Sequence, residues 1–143
     1  MKIYFDREKL DVYQEAIGFC GWVGEFLSAI SAKAAAKDQL DRASTSLPLN
    51  IAEGNGKFSD KDRSRFFEMA RGSALECAAC LDVLLVRKLA NQDQVILAKE
   101  RLARIVQMLV GLLRKFSHRA DVLREEESEY LIEHDYEHEQ EHE

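Results

Sequence analysis

The sequence has little proline and little glycine: one proline and seven glycines in 143 residues. A protein built from many short strands needs frequent turns, so this scarcity argues against a β-sandwich or barrel and favours long helices. No stretch reaches the roughly 18 uncharged apolar residues that a membrane-spanning helix requires. The segment from Met1 to Asp6 also lacks the apolar core of a signal peptide. We therefore expect a soluble, cytoplasmic protein.

Cysteine is scarce too, with Cys20, Cys77 and Cys80 only. An odd number of cysteines within apolar helical patterns predicts reduced thiols packed as small apolar side chains. Cys77 and Cys80 match the Cys-x-x-Cys spacing, but a helix would hold their Cβ atoms about 5–6 Å apart, and a disulfide needs about 3.8 Å. A zinc site would need a second ligand pair, and a thioredoxin-like motif would need a preceding strand.

Residues that carry catalysis or bind metals are also few. His118 is the only histidine before residue 125, and no glutamate lies three positions before it, so the Glu-x-x-His pairs of a di-iron bundle are missing. His134, His138 and His142 recur every four residues, where divalent metal capture competes with the simpler interpretation of a solvated acidic tail. Without a nucleophile–base pair or a glycine-rich phosphate loop, we predict no enzyme, no catalytic residue, no metal, no cofactor and no small-molecule substrate.

Charge is divided unevenly along the chain. Residues 1–124 contain all 20 Lys and Arg residues and 16 of the 26 Asp and Glu residues, a balance of +4. Residues 125–143 contain the other 10 acidic residues, a balance of −10. We therefore expect a helical domain over 1–124 and an acidic His- and Glu-rich tail over 125–143.

Apolar residues recur at spacings of three and four, which predicts four helices, over about 6–35, 37–53, 59–89 and from residue 91 onward. Pro48 predicts a kink or restart near Ser46, and Gly54 predicts a left-handed glycine at the end of helix two. Ser59 and Asn91 are the expected N-caps of helices three and four. The predicted fold is an all-α, antiparallel up-and-down four-helix bundle whose second helix is short and kinked.

Three of these helices carry rows that predict the core. The rows are Val12, Ala16, Phe19, Val23, Phe26 and Ile30; Phe67, Ala70, Ala74, Cys77, Leu81 and Leu84; and Val95, Ala98, Leu102, Ile105, Leu109, Leu112 and Phe116. Helices one and four each carry a second apolar row, which includes Tyr13 and Ile17 in the first and Val106, Val110 and Leu113 in the fourth. These surplus rows either widen the core or bury against further subunits, and we expect the second.

Two stretches match a known family. Asn50-Ile51-Ala52-Glu53-Gly54 and Gly72-Ser73-Ala74-Leu75-Glu76, preceded by Lys9-Leu10-Asp11-Val12-Tyr13, resemble the signatures of bacterial four-helix bundle proteins encoded in rRNA intervening sequences. The resemblance implies an antiparallel bundle that assembles into a ring, typically a homopentamer. Accessory proteins of diversity-generating retroelements are similar in fold and bind nucleic acid and a reverse transcriptase. Family members usually close helix three with a Leu-Gly-Tyr-like turn, where this chain has Val86-Arg87-Lys88-Leu89.

The signature stretches contain polar residues that we expect to form a partly buried network fixing the register of helices two and three. These residues are Arg42, Asn50, Glu53, Arg71 and Glu76. A pair between Glu53 and either Arg42 or Arg71 is the predicted contact.

Other basic residues are candidate nucleic-acid contacts: Lys57, Lys61, Arg63, Arg65, Arg101, Arg104, Lys115 and Arg119. A ring would repeat such a patch and so multiply its phosphate contacts, whereas the simpler interpretation is a solvated surface. Without aromatic–basic interleaving or a base-reading motif, we expect weak sequence specificity. The predicted function is a non-enzymatic homo-oligomeric scaffold that binds RNA, DNA or a reverse-transcriptase-like enzyme, with the acidic tail competing for the basic surfaces. The alternative is a protein–protein interaction module that does not contact nucleic acid.

Overall fold

The structure, a computed structural model, describes residues 2–31 and 33–116. A 3₁₀ helix, Asp6–Lys9, precedes α1 (Asp11–Ser28), α2 (Ala35–Gly56), α3 (Asp60–Val86) and α4 (Gln92–Phe116). Each helix packs beside its neighbour in sequence and α4 packs back on α1, with the most extensive contact between α2 and α3 and the least extensive between α1 and α4. Because short segments connect consecutive helices, they run antiparallel, which confirms the predicted bundle. None of the described helices is both long enough and apolar enough to cross a bilayer.

The core consists of the predicted rows together with one face of α2. Every residue of the rows predicted for helices one and three is buried, and the row on α4 is buried as far as Leu109. Leu112 and Phe116 are only partly buried. Helix α2 adds Leu40, Leu47 and Ile51, which are fully buried.

The first helix is shorter than predicted at both ends. Leu10 is extended and separates the 3₁₀ helix from α1, and α1 ends at Ser28 rather than at Ala35. Ile30 is buried beyond that end, and the Nζ of Lys37 donates a 2.7 Å hydrogen bond to its carbonyl. Burying Ile30 while the chain reverses into α2 overrides the helix preference of the alanine-rich segment that follows.

The second helix is longer than predicted. It spans 22 residues without interruption, against 18 in α1, so the expectations of a short helix and of a restart at Pro48 are wrong. No glycine in the described residues has a positive φ, so Gly54 does not form a left-handed cap. Gly54 is helical and buried, and a Cβ there would lie 2.9 Å from Cε1 of Phe67. This glycine therefore serves the close approach of α2 and α3.

Both predicted N-caps are confirmed. The hydroxyl of Ser59 accepts the backbone N–H of Asp62 at 3.1 Å, and Oδ1 of Asn91 accepts the N–H of Gln94 at 2.9 Å. These side chains satisfy amide groups that the first turn of a helix leaves without partners.

Helix α3 ends at Val86, three residues before the predicted Leu89, in a Schellman motif. The N–H of Leu89 donates to the carbonyl of Leu84 at 2.8 Å, and the N–H of Lys88 donates to Leu85 at 3.0 Å. Lys88 has a φ of 62°, the left-handed conformation for which this motif usually recruits glycine. Lysine thus stands where glycine would be unstrained.

Candidate nucleic-acid interface

The end of α2, the start of α3 and the end of α4 meet at one end of the bundle, where basic and aromatic side chains collect. We call this surface the basic end; it comprises Lys57, Phe58, Lys61, Arg63, Arg65, Phe66, Lys115 and Phe116. The up-and-down topology brings this surface together, because the C-termini of α2 and α4 lie beside the N-terminus of α3. Five of the eight predicted nucleic-acid contacts belong to this surface.

Arg63 connects the three helices at this end. Its Nε donates a 2.7 Å hydrogen bond to the carbonyl of Lys57, and its Nη1 lies 3.4 Å from Oδ1 of Asp60. Its guanidinium carbon stands 5.1 Å from the centre of the Phe116 ring. Arg63 is therefore a half-buried residue that joins the three helices, while Lys61 and Arg65 are exposed.

Aromatic rings interleave with these cations, contrary to the expectation from sequence. The Phe66 ring lies 5.0 Å from Nζ of Lys57 and 5.1 Å from the guanidinium carbon of Arg65. The Phe116 ring lies 5.1 Å from Nζ of Lys115. Segment 57–66, which contains two phenylalanines and four basic residues, already held the signal that sequence reasoning missed.

Among the large apolar side chains of the described residues, Phe58 is the most exposed, at 100% of its reference area. It occupies the middle of the three-residue connection between α2 and α3. Hydrogen bonds fix the residues on both sides of it: Ser59 caps α3, and the carbonyl of Lys57 accepts a hydrogen bond from Nε of Arg63. A short, anchored loop therefore presents this ring to solvent.

The 3₁₀ helix is tied to the same end of the bundle, which the sequence did not indicate. Nδ2 of Asn55 donates to Oδ2 of Asp6 at 3.2 Å. The Glu8 carboxylate accepts the backbone N–H groups of Phe5 and Tyr4, at 2.8 and 2.6 Å, and these bonds lower the pKa of Glu8. Tyr4 and Phe5 are exposed, so they extend the aromatic character of this end.

Acidic residues moderate the charge of the basic end. Nζ of Lys57 lies 3.6 Å from a carboxylate oxygen of Glu53, and Asp60 and Asp62 lie in the first turn of α3. Segment 57–66 contains four basic and two acidic residues. The surface is thus modestly positive.

Two predicted nucleic-acid contacts, Arg101 and Arg104, lie away from the basic end. Arg101 is half-buried, 6.0 Å from the Phe19 ring, and its Nη2 fills the space above Gly18, 3.1 Å from where a Cβ would be. Arg101 therefore joins α4 to α1, while Arg104 is exposed in the middle of α4. At 1.5 Å per residue they lie on the order of 16–21 Å along the helix from Lys115. Arg119, like the acidic tail and its histidines, lies outside the described residues.

The predicted polar network takes another form, and the predicted partners of Glu53 are wrong. Glu53 pairs with Lys57, Arg71 pairs with Glu68 at 2.9 Å, and Arg42 is exposed.

Shorter polar side chains link α2 to α3 instead. The hydroxyl of Ser73 donates to Ser46 at 3.0 Å, and Nδ2 of Asn50 donates to the same oxygen at 2.9 Å. Nε2 of Gln39 donates to Glu76 at 2.9 Å. Asn50 and Glu76 thus take part in polar contacts, but through serine and glutamine partners.

The cysteines pack as predicted. All three are free thiols, and Cys77 and Cys80 are buried. Burial raises the pKa of Cys77 to about 12, with a smaller contribution from Cys80. Burial also raises the pKa of Cys80. Since the thiolate is the nucleophile and the metal ligand, these thiols are suited to core packing.

The fold and its basic end define a class: an up-and-down four-helix bundle with a compact patch of cations and aromatic rings at one end. A family model described as 23S rRNA-intervening sequence protein matches residues 8–111. The chain therefore belongs to the 23S rRNA-intervening sequence protein family, as its signature stretches predicted.

Comparison with solved structures supports the same fold. A protein of unknown function from the S23 ribosomal protein family of Bacteroides thetaiotaomicron is similar, with a TM-score of 0.68 and 20% identity. The similarity covers 72% of this chain and 95% of that chain. Among curated proteins, none matches this sequence.

Proposed function

We propose that this protein is a non-enzymatic, homo-oligomeric helical scaffold that binds nucleic acid, or an enzyme that acts on nucleic acid, through the basic end. The observation that carries the proposal is the convergence of Lys57, Lys61, Arg63, Arg65 and Lys115 from three helices onto one surface. Family membership supports the proposal through the link of the family to rRNA intervening sequences. Assembly into a ring, as the resemblance implies, would repeat the patch and strengthen phosphate binding.

The contacts expected at this surface are mainly to phosphate. Lys61 and Arg65 are exposed on the first turns of α3, and residues of this kind position a nucleic acid without reading its bases. Low sequence specificity and a strong dependence on salt follow.

A salt titration tests the proposal. Binding of generic RNA and DNA is measured by fluorescence anisotropy between roughly 50 and 200 mM salt, a range over which phosphate contacts weaken strongly. Replacing both Lys61 and Arg65 by Ala should lower the slope of log K against log salt by about 2, since each lost phosphate contact lowers it by about 1.

The matched control removes two exposed basic residues from the opposite end of the bundle, Lys33 and Arg87. This variant has the same net charge as the first and should keep the slope of the unmodified protein. An equal effect of both variants would contradict a localised interface and leave only general charge attraction.

A second candidate, a protein-binding module without nucleic-acid contact, is favoured by apolar exposure at the other end. Val83 and Val86 on α3 and Ile96 and Leu97 on α4 are all exposed. The Lys99–Asp82 ion pair, at 2.8 Å, joins the two helices in this region. Failure to bind any nucleic acid at about 50 mM salt would favour this second function.

A further inference from the structure

We propose that the basic end binds single-stranded nucleic acid, with a base stacking on Phe58 beside the cations that lie around the Phe66 ring. This inference rests on the proposed function and specifies the form of its ligand. It is carried by the exposed Phe58 ring, whereas the charges alone would serve a duplex equally well.

The Phe58 ring is presented for contact and packs against none of the residues that the structure describes. It is wholly exposed, yet its loop is anchored by the bond from Arg63 to the Lys57 carbonyl and by the Ser59 cap. A ring held out on an anchored loop loses little conformational entropy when a flat partner covers it.

The Phe66 ring gathers two cations beside Phe58. It lies 5.0 Å from Nζ of Lys57 and 5.1 Å from the guanidinium carbon of Arg65. A base that stacks near this ring therefore brings its phosphate within reach of positive charge. Proteins that bind single strands without reading their sequence combine aromatic rings with basic side chains in this way.

The choice of a single strand follows from which surfaces each nucleic acid exposes. In a duplex, each base is covered on both faces by its neighbours, and the protein meets mainly phosphates and groove edges. Unpaired bases expose their faces and stack on aromatic side chains. A single strand therefore offers both negative phosphates and exposed base faces, which complement a positive surface that carries an exposed aromatic ring.

The test compares binding of an unstructured single-stranded 12-mer with that of a 12-bp duplex by fluorescence anisotropy, using the full chain. Since stacking contributes about 1–3 kcal/mol per base, Phe58→Ala should weaken single-strand binding by about 5- to 150-fold. Duplex binding should change less than twofold. The thermal melt should stay unchanged, because Phe58 is fully exposed and packs against none of the described residues.

Conservative variants separate stacking from general apolar contact. Phe58→Tyr keeps a flat ring and should restore single-strand affinity, whereas Phe58→Leu keeps apolar area without a ring and should not. Leu49→Ala is the matched control, since Leu49 is also largely exposed but lies on α2. It should leave binding unchanged.

Phe58→Trp allows base stacking at this position to be measured directly by tryptophan fluorescence. Its fluorescence should be quenched on addition of the single strand, whereas the unmodified protein, whose Trp22 stacks on Phe26 at 4.8 Å, should show little quenching.

The remaining outcomes overturn the inference in distinguishable ways. Equal binding of both forms with no effect of Phe58→Ala would refute the stacking and leave the proposed function intact. No binding of either form would refute both. A fall in oligomer mass on Phe58→Ala, seen by light scattering, would show that a second copy of the chain covers this ring.

Discussion

At the scale of single residues, Gly54 shows how a family signature acquires a packing role. It closes the Asn-Ile-Ala-Glu-Gly stretch and lies at a close approach of α2 to α3, opposite the Phe67 ring. The missing side chain leaves room for the Phe67 ring, and Phe67 is fully buried in the core.

Gly54→Ala should destabilise the fold by about 1–3 kcal/mol, the usual cost of overpacking a core. The cause is the Phe67 ring, which lies 2.9 Å from the added methyl group and cannot move freely within the core. Urea unfolding measures the change. Gly56→Ala is the control, because no atom lies within 4 Å of its added Cβ, and it should be neutral or stabilise by up to about 1 kcal/mol. Equal results for the two variants would contradict this role.

The buried thiol of Cys77 makes stability depend on alkaline pH. Its pKa is raised from 9.0 to about 12 in the folded chain, so between these values the folded state keeps a proton that the unfolded state loses. The stabilisation is complete below about pH 9 and declines towards pH 12, by up to about 1.4 kcal/mol per pH unit.

Unfolding free energies of the unmodified chain and of Cys77→Ala, measured from pH 8 to about 11, test this dependence. The difference between the two should narrow above pH 9, because Cys77→Ala lacks the titrating group while all other groups are shared. Two parallel curves would contradict the assignment.

At the scale of elements, the four predicted helices are present, but their ends differ from the predicted positions. The alanine-rich segment after α1 predicted continued helix, but burial of Ile30 and the bond from Lys37 to its carbonyl fix a loop there. Pro48 predicted an interruption of α2, but the helix continues through it with Pro48 buried against the core. Tertiary packing overrides local preference in both places.

At Lys88, a substitution should make the C-terminal end of α3 more stable. A left-handed conformation costs a side-chain-bearing residue about 1–2 kcal/mol, part of which the greater entropy loss of glycine offsets. Lys88→Gly should therefore stabilise the chain by about 1 kcal/mol in urea unfolding. Arg87→Gly, one residue earlier at a φ of −81°, should instead destabilise it by up to about 1 kcal/mol. A loss of stability on Lys88→Gly would show that the lysine side chain stabilises this turn.

At the scale of the whole molecule, the surplus apolar rows remain partly uncovered in the single chain. Ile17 on α1 is 47% exposed, and Val106, Val110 and Leu113 on α4 are only half-buried. These residues lie on α1 and α4, the two neighbouring helices that share the least extensive contact in the bundle. Assembly with further copies would cover them.

Ile17→Arg should therefore reduce the mass measured by light scattering, because a buried unpaired charge at a subunit contact is costly. The unmodified protein should have a multiple of 16.4 kDa, and the variant should approach that single-chain mass. Leu75→Arg is the control, since Leu75 is equally exposed at 48% but lies on α3, and it should keep the mass. A monomeric unmodified protein would contradict the proposed assembly.

The sequence by itself determined the four helices of the described residues, the core faces of the first, third and fourth, and the N-caps at Ser59 and Asn91, because periodicity and capping are local properties read within one or two turns. It also identified the family through its signature stretches. Only the tertiary structure decided where α1 ends, what Gly54 and Pro48 do, and which polar residues join α2 to α3. Those outcomes depend on which atoms of another helix lie opposite. For the same reason, the sequence named the cations of the basic end, whereas only the folded chain brought Lys115 and Phe116 to Arg63 and separated them from Arg101.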